Sequence, residues 1–199
     1  MGWNRSLFLL LNASAAPSPP VVLAAKFLAA DVIFLAMALL VGLWVRGRSE
    51  KRAALLATVL ATLAGLGVNQ LLGMLWFEPR PFMIPLGHTL LAHAPDNSFP
   101  SDHGTFLWTI GFSLIATGAF RGWGKAVAVA GIAVAWARIY LGVHFPVDMI
   151  AAALVAVASA ALARALLSPV RRWLLPPAET VYQTALRVLH LPPDVFPRG

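Results

Sequence analysis

The segment Asn97-Ser-Phe-Pro-Ser-Asp-His103 is followed 35 residues later by Arg138, then His144 and Asp148, with Arg80 upstream. Two histidines, two arginines and an acid of this kind suit phosphoryl chemistry. Guanidinium groups grip phosphate oxygens through paired, charge-assisted hydrogen bonds. An imidazole can attack phosphorus and split one hard displacement into two through a covalent intermediate. The competing chemistry is a metal-dependent hydrolase with His103, His144 and Asp148 as ligands, but two neighbouring arginines suit an anion better. All five groups adjoin long apolar segments, where ionisable side chains are costly and need a reason.

Those segments define the class. The chain has 199 residues, of which 59% are hydrophobic and 12% charged, about half the charged share of a soluble domain. Residues Ala53 to Phe77 include no charged side chain, enough apolar length to cross a bilayer as a helix. The reading is an all-α integral membrane protein: a bundle of about five transmembrane helices, with an N-terminal interfacial helix and a C-terminal amphipathic tail. The spans are expected at about 20–45, 53–76, 101–120, 124–141 and 146–167. Residues 1–167 form the membrane-embedded domain and 168–199 the tail. The small residues of the fourth and fifth spans predict that these two pack tightly together. An alternative, a transporter, would show inverted repeats or helices broken at the membrane midplane, and the sequence shows neither.

Charge placement sets the expected orientation. The net charge is +7, but nine of the 15 Lys and Arg sit in three short segments: 46–52, 121–125 and 164–172. These fall between or after the helices, so the positive-inside rule accounts for them without nucleic acid. Five crossings then put the N-terminus outside and the C-terminus in the cytoplasm. Arg80, His103, Arg138, His144 and Asp148 share the outer face. The absence of cysteine excludes disulfides and thiolate metal sites.

Each motif also has local logic. Ser101 follows a proline and precedes an apolar run, so it is an expected N-cap; the helix start behind it favours bound phosphate. His144 falls in the turn before Pro146, a residue suited to a helix's first position. Asp148 then lies in the first turn, placed to bond His144 or to cap the backbone. Glu78-Pro-Arg80-Pro holds Arg80 extended and outside the helix. Taken singly, each could be an interfacial arginine, a turn histidine or a capping acid; their combination is much less ordinary.

Together these elements resemble the signature of the type-2 phosphatidic acid phosphatase superfamily: Lys-(6 residues)-Arg-Pro, Pro-Ser-Gly-His, and Ser-Arg-(5 residues)-His-(3 residues)-Asp. Pro79-Arg-Pro-Phe82, Gly87-His88-Thr89 and Ser98-Phe-Pro-Ser-Asp-His-Gly104 look more narrowly like bacterial undecaprenyl-diphosphatases of that superfamily. The resemblance implies that His144 is the nucleophile, Asp148 its orienting acid and His103 the proton donor to the leaving group. Arg80, Ser101 and Arg138 would bind phosphoryl oxygens. It implies no metal and no cofactor, a polyprenyl diphosphate substrate, and hydrolysis at the outer face of a bacterial inner membrane. A broader lipid phosphatase or a lipid phosphotransferase is the alternative within the family.

Three positions depart from the pattern: Gly73 stands where the lysine belongs, Asp102 replaces the glycine, and Ala137 replaces the serine. Lys26 is one candidate replacement for the lysine, against a plain snorkelling role. Asp102 could hold His103 protonated or favour its helix start. Glu78 and His88 complete the candidate accessory residues. His88 and His93 lie in the loop between the first two motifs and either line the pocket mouth or, the favoured reading, belong to the loop surface; Asn69 and Gln70 read as structural hydrogen-bonding groups, and Asp31 as an intramembrane acid with a functional claim.

Overall fold

The structure, a computed structural model, describes residues 2–190. Its helices are α1 (Trp3–Leu11), α2 (Pro19–Ala30), α3 (Val32–Arg46), α4 (Ser49–Leu75), α5 (Asp102–Ala116), α6 (Arg121–Tyr140), α7 (Pro146–Pro169) and α8 (Leu175–Val188). A single wide turn, Val170–Leu174, joins the last two. No strand occurs among the described residues. The expected all-α membrane fold is present.

Helix α4 and the run Pro146–Val188 are each long and apolar enough to span a membrane. The expected first span is broken: α2 and α3 meet at a 46° bend and make a third span only if counted together. The break falls at Asp31, which is exposed and does not line the polar cavity described below, so its functional claim is withdrawn. Helix α5 has 15 residues, roughly 22 Å at the usual helical rise, short of a hydrocarbon core about 30 Å thick. It tolerates this because it is the buried axis of the bundle, with α4, α6 and α7 packed around it.

The expected tight pair of α6 and α7 is not found; each packs against α5 and they scarcely touch each other. Their small residues serve α5 instead. A Cβ at Gly111 would lie 2.8 Å from Ala128 N and 2.9 Å from Gly124 O, so the α5 and α6 backbones meet where glycine alone fits. Ala152 of α7 lies against Gly104 of α5 in the same manner.

The first and last described helices fold onto the bundle. Phe8 of α1 is fully buried and its ring packs 5.2 Å from that of Phe145. Asn12 donates to His88 O (2.9 Å) and Tyr140 O (3.0 Å) and accepts from His88 N (2.7 Å). The N-terminal segment thus ties the loop after α4 to the end of α6. At the opposite end α8 buries Leu175 and Leu186, so the first part of the expected tail is a packed helix; residues 191–199 of that tail lie outside the described residues.

Arg52 fastens α8. It is completely buried, donates from Nε to Trp44 O at 3.0 Å, and stacks over Tyr182 (4.6 Å) and Trp44 (5.5 Å). Its Nη1 is 3.5 Å from Glu179 Oε1. Arg52→Ala is expected to lower stability by about 2 kcal/mol or more, from the lost hydrogen bonds to Trp44 O and Glu179 and two cation–π contacts. Thermal unfolding in detergent should show the loss, with turnover per folded molecule unchanged, because Arg52 sits at the far end of the bundle from the site.

Candidate active site

The chain closes one polar cavity of about 350 Å³ where α4 ends, α5 begins, α6 ends and α7 begins. Arg80, His103, Arg138 and His144 all line it, although up to 64 residues separate them. Four helix ends meeting at one place explain the convergence: each residue sits at, or within a few residues of, a helix terminus.

His144 is 2% exposed and bonded on both ring nitrogens. Arg80 Nη1 lies 3.0 Å from His144 Nε2. A guanidinium can only donate, so Nε2 accepts and the ring proton sits on Nδ1. That proton points to Asp148 Oδ2 at 3.1 Å. Asp148 also accepts from Phe145 N at 2.8 Å, so one carboxylate contacts both the histidine ring and the backbone at the start of α7. Burial pushes the imidazole well below its ordinary pKa, with the charges of Arg138 and Arg80 adding to the effect. The ring is therefore neutral, with its lone pair on the cavity side.

The two arginines are held differently. Arg80 is buried and nearly saturated: Nε donates to Asp96 Oδ1 (2.7 Å), Nη1 also to Val143 O (2.8 Å), and Nη2 to Asn97 O (3.0 Å). Arg138 donates from Nη1 to Ala29 O (3.0 Å), and its Nη2 meets His93 Nε2 at 3.1 Å. Its Nε is buried with no partner. A buried donor with no protein partner beside a polar cavity fits an anion-binding site.

Other sequence expectations need correction. Ser101 is the N-cap, accepting from Gly104 N at 3.3 Å, but it is fully buried behind the cavity wall and does not line it. The serine that bears on the site is Ser98, which reading from helix signals alone passed over. Its hydroxyl donates to Asp148 Oδ2 and lies 3.3 Å from His144 Nδ1. Ser98→Ala should lower kcat about tenfold, since it strips one donor from a buried carboxylate; steady-state kinetics would register this against an unchanged folded fraction.

Lys26 is exposed on α2 and does not reach the cavity. Glu78 does not line it either; its carboxylate accepts from Trp76 Nε1 at 3.3 Å. His88 faces outward, its backbone held by Asn12. By contrast His93, read as loop surface, lines the cavity beside Arg138. Asp102 lines it too, and its carboxylate accepts from Asn69 Nδ2 (2.8 Å) and Gln70 Nε2 (3.4 Å). Those amides are structural groups as expected, but they are also part of the cavity wall. At Gly73 a Cβ would come 2.8 Å from Asn97 Nδ2: the loop occupies the space a longer side chain would need.

The PAP2 superfamily profile matches residues 53–172, which include all four of these lining residues. YbjG of Escherichia coli (strain K12), which carries a provisional undecaprenyl-diphosphatase name, is 38% identical over 148 residues, 74% of each chain. Undecaprenyl-diphosphatase BcrC of Bacillus subtilis (strain 168) is 35% identical over 60% of this chain and 61% of its own. Among solved structures, Aquifex aeolicus LpxE superposes with a TM-score of 0.63 at 22% identity, covering 82% of this chain and 95% of that one.

Proposed function

Because this chain belongs to the PAP2 superfamily, we propose that its cavity hydrolyses a membrane lipid diphosphate, undecaprenyl diphosphate foremost, to the lipid monophosphate and inorganic phosphate. The observation that carries the reading is the state of His144: neutral, with Nδ1–H on Asp148 and Nε2 turned to a cavity flanked by Arg80 and Arg138.

The reaction follows from those contacts. Arg80 Nη1 moves from Nε2 to a phosphoryl oxygen as the terminal phosphoryl group enters. Nε2 attacks phosphorus and the bond to the bridging oxygen breaks. His103, charged once the anionic phosphoryl group lies beside it, gives its proton to that oxygen, which leaves on the lipid monophosphate. The Nε2–P intermediate is an imidazolium whose Nδ1–H remains on Asp148. Water then attacks phosphorus, the N–P bond breaks, and His103 takes the water's proton. Arg80 and Arg138 stabilise the charge on the transferring group throughout, already oriented before reaction begins. No step draws on a metal.

The lipid class rests on surroundings. Met74 lines the cavity, and around it Leu71, Leu75, Trp76 and Phe77 of the α4 end are exposed, with Leu75 at 84%. A prenyl chain can lie along this apolar rim while its diphosphate enters the cavity. The basic residues of the α3–α4 and α5–α6 turns and of the α7 end sit at the opposite pole of the bundle. By the positive-inside rule that pole is cytoplasmic and the cavity faces the outside of a bacterial inner membrane.

Phosphate release by the purified protein tests this with C55 and shorter prenyl diphosphates, phosphatidate and phosphatidylglycerophosphate, each with and without chelator. Prenyl diphosphates should turn over fastest and be indifferent to chelator. A preference for phosphatidate would shift the reading to a broader lipid phosphatase, and loss of activity on chelation would overturn the metal-free step.

A further inference from the structure

The charges around the cavity do not suit its cargo. Two guanidinium groups, Arg80 and Arg138, are offset by two carboxylates, Asp96 and Asp102, all on the cavity wall. A diphosphate ester carries roughly −2.5 to −3 near neutral pH, taking the terminal group as a phosphomonoester and the inner one as a single charge. The charges of the two arginines and two carboxylates cancel, and the proton that His103 carries for its step leaves most of that cargo's charge uncompensated. Gly73 leaves no lysine to supply it, and Lys26 lies elsewhere.

His93 is placed to make up the difference. Its Nε2 accepts from Arg138 Nη2 at 3.1 Å. Its Nδ1 therefore carries the proton, bonded to Ala94 O at 3.1 Å and 3.7 Å from Asp96 Oδ1. Asp96 in turn holds Arg80. The loop after α4 thus links the two arginines through a neutral imidazole whose second nitrogen is open to protonation. The charged and titratable groups that face it are Arg80 and Asp96 from its own loop, Arg138 from α6, and His103 and His144 across the cavity. Burial holds His93 below its ordinary pKa, with the two arginines contributing. A bound anion reverses that balance: it draws the Arg138 N–H away from Nε2 and brings negative charge within a few ångströms of the ring, a change that favours the charged imidazole.

Building on the hydrolase reading, we infer that His93 is a substrate-contacting specificity residue: it takes up a proton as a diphosphate enters and becomes a further cation of the site beside Arg80, Arg138 and the proton donor His103, hydrogen-bonded to the phosphoryl group that the two arginines leave uncompensated. The cavity has room for both groups. A diphosphate has nine non-hydrogen atoms, roughly 270 Å³ if each is given a liquid water's share, against about 350 Å³ available. The proton comes from solvent and returns to it when product leaves, so the cycle balances.

Two measurements on the full-length protein test this. In kinetics, the KM for a prenyl diphosphate should rise as pH rises from about 6 to 8, because the proton must be bound for the contact to form. His93→Gln should raise KM about tenfold at the acid end, equivalent to one pK unit of coupling, and flatten the pH slope. The inhibition constant of the product, the matching prenyl monophosphate, should change much less than this KM, and His93→Lys should restore a low KM. In calorimetry, wild-type protein binding methylenediphosphonate in buffers of different ionisation enthalpy should take up a proton that His93→Gln does not. If wild type hydrolyses prenyl diphosphates while His93→Gln keeps the same KM, slope and proton uptake, the inference fails and the hydrolase reading stands. If no lipid is hydrolysed but proton-linked diphosphonate binding depends on His93, the hydrolase reading fails and the inference stands. Absence of both turnover and binding overturns both.

Discussion

His144→Gln should abolish turnover, with kcat/KM falling by about 10⁴-fold or more, the scale seen when a covalent nucleophile is removed. Glutamine keeps a polar group in the buried position facing Asp148 but has no nitrogen lone pair to give to phosphorus. The wild-type imidazole is held neutral by burial and by two adjacent cations, so the nucleophile is ready without a base to deprotonate it. The variant should still bind methylenediphosphonate, because Arg138 and His93 do not depend on His144. Near-normal turnover in a folded variant that binds the diphosphonate would remove His144 from the chemistry.

The second large effect concerns the arginines, and the structure separates them. Arg138→Ala should cost on the order of 10²–10³-fold in kcat/KM, as for other groups aimed at developing charge. It has donors to spare, including an unpartnered Nε, so its loss is a loss of direct contact with the transferring group. Arg80→Lys should be as severe as Arg80→Ala. Arg80 uses its planar fork to join four groups at once: Asp96, Val143 O, Asn97 O and His144 Nε2. An ammonium cannot reproduce that geometry. Comparing kcat/KM of the two Arg80 variants checks this; substantial rescue by lysine would mean that Arg80 acts as a charge alone.

Much of this site was legible in the sequence because its parts sit at helix ends, and helix ends have local signals. Pro146 marks the start of α7, which fixes Asp148 in the first turn and His144 four residues before it. Pro100 and Ser101 mark the start of α5 and place His103. The bundle itself follows from apolar length. What escaped reading lies where no period or cap constrains the chain. Residues 84–101 are almost entirely loop, so nothing local separated His93, which lines the cavity, from His88, which does not. Ser98 and Ser101 flank the same proline, and only tertiary packing decides that Ser98 meets Asp148.

The bend at Asp31 was equally silent, since neither proline nor glycine occurs there. Its consequence reaches the site, because Arg138 takes the Ala29 carbonyl just before the break. Small-residue content identified α6 and α7 as close-packing helices but could not name their partner. In a bundle with a buried central helix, both turn their small faces to that centre rather than to each other.

The most direct test of the account is a rapid-quench experiment with a prenyl diphosphate labelled at its terminal phosphoryl group. Base-stable, acid-labile label should appear on the protein before steady state and map to the peptide containing His144. Label on a different residue, or phosphate released in the first turnover with no labelled protein at any quench time, would contradict it.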